Sequence, residues 1–323
     1  MIISKTPLRI SFVGGGTDIN TYYKTGYGAV VSATINKYVY VTVHKRFDKT
    51  IRVSYTKTEI VERVEDLQHD IVKACLQMAG IRDSIEITTV GEVPAGTGLG
   101  SSSSLTVGLL NALYAYKGIT LSAQEMFEKA CEIEIGILKQ PIGKQDQAAA
   151  AFGGINYIRF NADESVERER LWLPDAVFRS LERKLMMFYT GIQRSAGDVL
   201  TEQKKNTPSS LATLDYMRDQ ADALRIIAKE QQVFSNRFPM MLHEGWMKKR
   251  SIAGSISNDA INGLYEKALH AGAMGGKLLG AGGGGFLLLC CEESKQQALR
   301  EQLGLKELDF HFGNYGSRIV YFG

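Results

Sequence analysis

The stretch Pro94-Ala95-Gly96-Thr97-Gly98-Leu99-Gly100-Ser101-Ser102-Ser103-Ser104 constrains this chain more than any other. Upstream, residues 84–90 alternate apolar and polar and predict a strand. Downstream, Leu105, Leu109, Leu110 and Leu113 recur at helical spacing. The order is strand, glycine-rich loop, helix. Glycines let a backbone approach a ligand closely. The unpaired amides at a helix start, backed by the helix dipole, favour an anion. Two readings follow: a phosphate cradle, or a Gly/Ser turn in which a serine caps the helix. Context must separate them.

Two further glycine-rich breaks lie at element boundaries. Gly14-Gly15-Gly16-Thr17-Asp18 follows an alternating strand over residues 1–13. It suits a loop laid against a small polar ligand, or a tight turn in which Thr17 or Asp18 caps residues 19–23. The run from Gly275 to Gly285 separates a helix over 258–273 from the apolar strand 286–291. Gly280, Gly282 and Gly285 fit G-x-G-x-x-G, but helix, loop, strand is the wrong order for a dinucleotide fold. No G-x-x-x-x-G-K-[ST] occurs, which argues against a Walker-type ATPase.

Between these breaks the pattern predicts paired strands over 28–35 and 38–43, a short strand at 51–55, and a helix over 66–80 stopped by Gly80. Ser122 and Glu125 form a capping-box pair for a helix over 122–139, ended by Pro141. In Lys144-Gln145-Asp146-Gln147, Asp146 reads as a helix cap or as a proton acceptor. The charged stretch 159–182 reads as a domain seam with a solvated surface. A strand at 185–189 leads to Arg194, which either contacts an anion or sits in a surface turn. Residues 198–270 are mostly helical, and their apolar stripes read as core. A helix over 294–303 and a strand over 317–322 close the chain.

Composition narrows the function class. The 323 residues suggest two domains. A net charge of +3 from 38 basic and 35 acidic residues argues against nucleic acid or a membrane surface as partner. No apolar run reaches the roughly 18–20 residues of a bilayer span. The first residues lack signal-peptide architecture, so a cytoplasmic location is expected. Cys75, Cys131, Cys290 and Cys291 lack metal-site spacing and read as reduced thiols. The five histidines form no ligand pair.

Taken together, the three loops resemble the signatures of the GHMP family of small-molecule kinases, which includes galactokinase, homoserine kinase, mevalonate kinase and phosphomevalonate kinase. The first is Pro7-Leu8-Arg9-Ile10-Ser11-Phe12-Val13-Gly14-Gly15-Gly16-Thr17-Asp18, the second Pro94 to Ser104, the third Lys277 to Phe286. They occur in the family's order and span essentially the whole chain. The wording of the first, with Gly143-Lys144-Gln145-Asp146-Gln147 and Tyr189-Thr190-Gly191-Ile192-Gln193-Arg194, is most similar to the family's kinases of D-glycero-D-manno-heptose 7-phosphate. The resemblance implies an α+β two-domain fold. An N-terminal, ATP-binding domain like ribosomal protein S5 domain 2 (α/β) would cover 1–170. A ferredoxin-like α+β domain would cover 171–323, with the site in the cleft between them.

The resemblance also implies roles. ATP would lie on Pro94, Gly96, Thr97, Gly98, Leu99, Gly100, Ser101, Ser102 and Ser103. Mg²⁺ would be held by Ser102 and by Glu134, twelve residues before Asp146. Ser101, Ser103 and Ser104 would cap and pack the helix. Asp146 would be the catalytic aspartate, with Arg9 beside it to offset charge on the transferred group. Gly15, Gly16, Thr17 and Asp18, with Gly282 and Gly283, would bind the sugar. Galactokinase has an acidic residue at the position of Gly15, so the sugar should differ. Charge placement alone, not the motif, nominates Arg194, then Lys144, Lys139 and Lys204, for a substrate phosphate. The implied reaction moves the ATP γ-phosphoryl to the anomeric hydroxyl of the heptose phosphate, giving the 1,7-bisphosphate for nucleotide-activated heptose and surface glycans. The implied partners are a sugar phosphate and ATP, with room for a homodimer. The alternatives are another sugar 1-kinase, for fucose, galacturonate or unphosphorylated heptose, and a non-catalytic sugar-sensing relative.

Overall fold

A computed structural model describes residues 1–192 and 196–323. The chain begins β1 (Ile2–Val13), α1 (Asn20–Tyr23), β2 (Tyr27–Lys45), β3 (Ile51–Ser54), β4 (Thr58–Val61) and α2 (Asp70–Ala79). It continues β5 (Ile85–Gly91), α3 (Ser101–Tyr116), α4 (Ala123–Cys131), α5 (Gln145–Phe152), β6 (Ile155–Asn161) and β7 (Val166–Arg170). The second half runs α6 (Asp175–Lys184), β8 (Leu185–Tyr189), α7 (Ala196–Asn206), α8 (Leu211–Ile227), α9 (Gln231–Arg250) and α10 (Asp259–His270). It ends with β9 (Ala273–Leu278), β10 (Phe286–Cys291), α11 (Gln296–Leu303), β11 (Lys306–Glu307) and β12 (Arg318–Phe322).

Two sheets form. The first has eight strands in the order β12-β1-β2-β5-β3-β4, with β6 on β2 and β7 on β6. The second has four antiparallel strands, β11-β8-β10-β9. The expected pair at 28–35 and 38–43 is one 19-residue strand. Its first part, Tyr27–Ala33, pairs with β6, and its second, Val39–Lys45, with β5. The polar residues that suggested a turn mark a register shift opposite Pro7 and Leu8. There Asn36 is held by the chain at residue 311, whose amide donates to its Oδ1 at 2.8 Å. Pro7 has no N–H to give a ladder, so an irregularity there is expected.

α3 lies on β1 and β2 and is buried on nearly every side, so its apolar pattern is not confined to one stripe. Gly108 permits the approach: a Cβ there would sit 2.7 Å from Thr6 Oγ1. The Ser4 hydroxyl donates to Gly108 O at 2.8 Å and the Ser104 hydroxyl to Pro7 O at 2.7 Å. These bonds fix the start of α3 relative to β1, which matters for the site.

Three boundaries differ from the sequence reading. The helix begun by the Ser122 capping box stays α-helical only to Cys131 and continues as a π-helical turn over Glu132–Ile137. The stretch read as the start of the third loop, Gly275 to Leu278, is strand, because its glycines let α9 lie on it. A Cβ on Gly275 would be 2.0 Å from Pro239 O. The loop proper is 279–285, a connection between antiparallel β9 and β10. Last, β12 pairs with β1 and covers its open edge, so the first sheet takes a strand from beyond residue 170.

Candidate active site

The loop before α3 turns on three left-handed glycines, Gly96, Gly98 and Gly100, with φ of +75°, +85° and +75°. It is fastened to β1 by the Arg9 amide, which donates to Leu99 O at 3.0 Å. Gly100 precedes the helix and no side chain caps it. The Ser102 and Ser103 hydroxyls donate to Glu134, and that of Ser104 to Pro7 O. The serine-cap reading therefore gives way. The first amides of α3 stay turned to a cavity that Ser101, Ser102 and Ser103 line. Thr97 and Leu99 are buried and shape the loop: the Thr97 hydroxyl donates to Pro94 O at 2.8 Å, and the Leu99 side chain joins the core.

β1 and α5 bring Arg9 and Asp146 together. Lys144, not Asp146, occupies the cap position of α5, so Asp146 lies in the first helical turn. Arg9 Nε and Nη2 donate to the two Asp146 carboxylate oxygens, each at 2.7 Å. Its Nη1 donates to Gly98 O at 2.6 Å. Arg9 is buried behind this contact, while the Asp146 side chain keeps 24% of its surface open. Gly100 leaves space for the pair, since a Cβ there would meet Arg9 Cγ at 3.2 Å and Asp146 Oδ2 at 3.3 Å.

Glu134 stands on the π-helical turn, a distortion frequently found at functional sites. Its oxygens accept from Ser102 Oγ at 2.9 Å, Ser103 Oγ at 2.8 Å and Gln147 Nε2 at 2.6 Å. Burial pushes its pKa above the usual carboxylate value, against the opposing pull of those hydrogen bonds.

Asp18 is also buried. It accepts from Gly16 N at 3.0 Å, Gln145 N at 3.2 Å and Gln145 Nε2 at 3.1 Å. Burial raises its pKa first, and the Asp146 charge raises it further. Gly143 gives it room: a Cβ there would be 2.0 Å from Asp18 Oδ2. Gly16, Asp18 and Ile19 line the cavity. Thr17 does not, because its hydroxyl donates to Gly14 O and Ala29 O and accepts from Ala29 N, which stitches the loop to β2. Gly15 faces the Ser11 hydroxyl instead.

The third loop touches the second through backbone. A Cβ on Gly280 would lie 2.4 Å from Gly98 Cα, and one on Gly285 would lie 2.2 Å from Thr97 O. Gly280 and Ala281 reach the cavity. Gly282 and Gly283, expected at the sugar, instead pack on Ile256, whose carbonyl accepts from Gly283 N at 2.6 Å. Lys277, fully buried, donates to Ser11 O at 2.8 Å and Phe12 O at 3.0 Å. Burial, then the charges of Lys249 and Arg9, hold its pKa well below the usual lysine value.

Of the basic candidates, Arg194 lies outside the described residues. Lys144 is directed to Glu164, in an ion pair of 2.5 Å that also draws in Lys24. Sequence reading missed Gln140, Leu200, Gln203 and Lys249, which line the cavity. Leu200, Gln203 and Lys249 sit on helices whose apolar stripes gave no sign of a site, and Gln140 lies in the irregular segment after the π-helical turn. Lys249 donates to Gly280 O. The cavity measures about 150 Å³. Beside it, a hollow of about 600 Å³, walled by Tyr55, His69, Val90, Val93, Pro94 and Leu105, shares Gly96, Ser101 and Ser102 with it. No helix among the described residues is long and apolar enough to cross a membrane.

Comparison with known proteins agrees with this fold. The GHMP kinases N terminal domain matches residues 65–154, and the GHMP kinases C terminal domain matches residues 236–307. The D-glycero-alpha-D-manno-heptose 7-phosphate kinase of Campylobacter jejuni is 33% identical, over 98% of this chain and 97% of its own. The crystal structure of a D-glycero-D-manno-heptose 1-phosphate kinase from Bacteroides thetaiotaomicron superposes with a TM-score of 0.83 at 26% identity, over all of both chains. Lactococcus lactis galactokinase shares the fold, with a TM-score of 0.73 at 19% identity over 99% of this chain and 95% of its own. With both domains matched and a relative of this identity along its whole length, the chain belongs to the GHMP kinase family, two-domain α+β phosphotransferases that use ATP as phosphate donor.

Proposed function

We propose that this chain transfers the γ-phosphoryl group of ATP to the anomeric hydroxyl of D-glycero-D-manno-heptose 7-phosphate, giving the 1,7-bisphosphate. The observation that carries the chemistry is the Arg9–Asp146 pair, set on the wall of a cavity that also receives the uncapped start of α3. Phosphoryl transfer asks a protein mainly for positioning and charge stabilisation. The phosphates of ATP would lie along Gly96 to Ser103, with the nucleoside in the larger hollow that shares Gly96, Ser101 and Ser102. Asp146 would accept the proton of the attacking hydroxyl, its carboxylate held at a fixed angle by the two-pronged contact with Arg9. Arg9 and Lys249 would offset charge on the transferred group. Asp18, held by Gly16 and Gln145, would accept sugar hydroxyls.

Ser102 and Glu134 fit Mg²⁺. They offer hard oxygen donors, and the hydrogen bonds to the buried carboxylate come only from neutral groups. When bound, the ion would supply charge neutralisation beside the phosphates.

The choice of heptose 7-phosphate rests on the Campylobacter jejuni relative. One observation favours a second reading. Among the described residues the cations lining the cavity are Arg9 and Lys249, because Lys144 is tied to Glu164. An acceptor without a phosphate, such as fucose, galacturonate or free heptose, would need no further cation. Incubation with ATP and Mg²⁺ against a panel of sugars and sugar phosphates, with ³¹P NMR of the products, separates the readings. A new anomeric phosphate on heptose 7-phosphate supports the first, and reaction with unphosphorylated sugars alone supports the second. Sugar binding without transfer points to a sensing relative. In the first case the product would feed synthesis of nucleotide-activated heptose for surface glycans.

A further inference from the structure

Where α7 passes the first glycine-rich loop, Gln203 leans over Gly16. Its Nε2 is 2.3 Å from the point a Gly16 Cβ would occupy, and Gly16 has a φ of +105°. Gln203 is 1% exposed and lines the cavity, yet neither its Oε1 nor its Nε2 has a hydrogen-bond partner. Gln220 and Gln147, also buried, are each half used: Gln220 Nε2 donates to Met241 O at 3.1 Å and Gln147 Nε2 to Glu134, while the Oε1 of each is unpaired. A buried carboxamide idle at both ends is costly, and native proteins keep such groups for a reason. Gln145, on the same cavity, repeats the pattern in part. Its Nε2 is engaged by Asp18 while its Oε1 is unpaired. Three unused hydrogen-bonding atoms therefore belong to residues that line one cavity with Asp18.

We propose that Gln203 is a specificity-determining residue that reads two neighbouring hydroxyls of the acceptor sugar, with Gln145 Oε1 taking a third. The inference rests on the phosphoryl-transfer reading for what enters the cavity. The chemistry fits the group. A carboxamide presents one acceptor and two donors on a rigid plane, so one hydroxyl donates to Oε1 while its neighbour accepts from Nε2. A carboxylate could only accept and an ammonium could only donate. Asp18 supplies the acceptor-only contact nearby. A sugar lacking one of these hydroxyls leaves a buried amide atom unpaired, and sites built this way reject the deficient analogue far more strongly than an apolar pocket does.

The test compares the wild-type chain with Gln203→Met, which keeps length and volume and removes both polar atoms, and with Gln203→Ala. Wild type is first assayed with ATP and Mg²⁺ on the sugar panel, and the best acceptor is then paired with its monodeoxy analogues. The expected result is a rise of about 30-fold or more in KM for the sugar in Gln203→Met, with KM for ATP within about twofold. The preference of wild type for the full sugar over one or two deoxy analogues should collapse in the variant. The melting temperature of free Gln203→Met should equal or exceed wild type, since an unpaired buried group is removed with little change of volume. A merely structural residue would instead lower the melting temperature and move both KM values together. If wild type is a sugar kinase and both variants keep its sugar KM and deoxy preference, the subsite is overturned and the kinase reading stands. If wild type phosphorylates no sugar, both are overturned, and the wild-type assay alone reveals it.

Discussion

The loop at 96–100 and the loop at 279–285 touch each other and have similar composition, but their glycines work differently. In the first, left-handed glycines swing the chain so that the opening amides of α3 and the Arg9–Asp146 pair share one cavity. In the second, equally left-handed Gly280 and Gly285 press on the backbone of the first loop, and Gly282 rests on Ile256. One loop is shaped for what it faces and the other for what it leans on. A glycine-rich motif is therefore no direct pointer to ligand contact: left-handed glycines shape both loops, but Gly96, Gly98 and Gly100 front the cavity while Gly282 and Gly285 lie against other backbone.

The largest test of this contrast is Asp146→Asn. If the first loop's wall is the reactive one, kcat should fall about 10³-fold, with thermal stability near wild type, as steady-state assays and a melt would show. Retained turnover would remove the functional half of the comparison. Next comes Glu134→Gln. Turnover should drop about 100-fold and should demand more Mg²⁺. The sign of its stability effect is opposite. Burial raises the Glu134 pKa, so this site favours the fold at low pH and loses that contribution as pH rises through its folded value. At neutral pH the variant should melt roughly 2–5 °C above wild type, and the gap should close as pH falls toward the carboxyl's ordinary value of 4.5. The Ser102 and Ser103 hydroxyls can rotate and the idle Gln147 Oε1 can turn to meet the new amide, so the network survives the change.

The third test sets the loops directly against each other. Gly280→Ala meets Gly98 backbone in a left-handed conformation and should cost about 3 kcal/mol of stability by chemical denaturation. Gly100→Ala meets only Arg9 and Asp146 side-chain atoms, so it should cost about 1–2 kcal/mol while cutting kcat about tenfold or more. Equal profiles for the two variants would erase the distinction. The smallest effect is expected from Lys144→Met, which removes a peripheral ion pair. Stability should change by less than about 1 kcal/mol, and KM for the sugar should not move.

Much of this arrangement was legible in the sequence where local rules are strong. The Ser122–Glu125 capping box, the Gly80 stop and the strand–loop–helix at 85–116 all follow from short-range chemistry. Arg9, Asp18 and Asp146 could be named because they sit in stretches whose wording resembles the family's signatures. Gln203 and Lys249 could not, since a polar residue within a helical run reads as solvated until tertiary packing turns it inward. Nothing local shows that Gly143 leaves room for the Asp18 carboxylate, which Gln145, 127 positions from Asp18, also holds. Thr17 looked like a ligand residue because nothing local reveals that Ala29 consumes its hydroxyl. Lys144 failed as a phosphate candidate for a similar reason, its partner Glu164 lying in a turn twenty positions on. Long-range pairing is the common factor in each case.

The terminal strand has a consequence for how the molecule is made. β12 completes the first sheet by pairing with β1, which is synthesised well before it. A ribosome needs on the order of ten seconds to travel from Arg170 to Arg318. Throughout that interval β1, which carries Arg9, has one edge without a neighbour. The nascent sheet is thus an unfinished template until its closing piece emerges, and the sheet beneath the reactive pair is sealed only once β12 has been made.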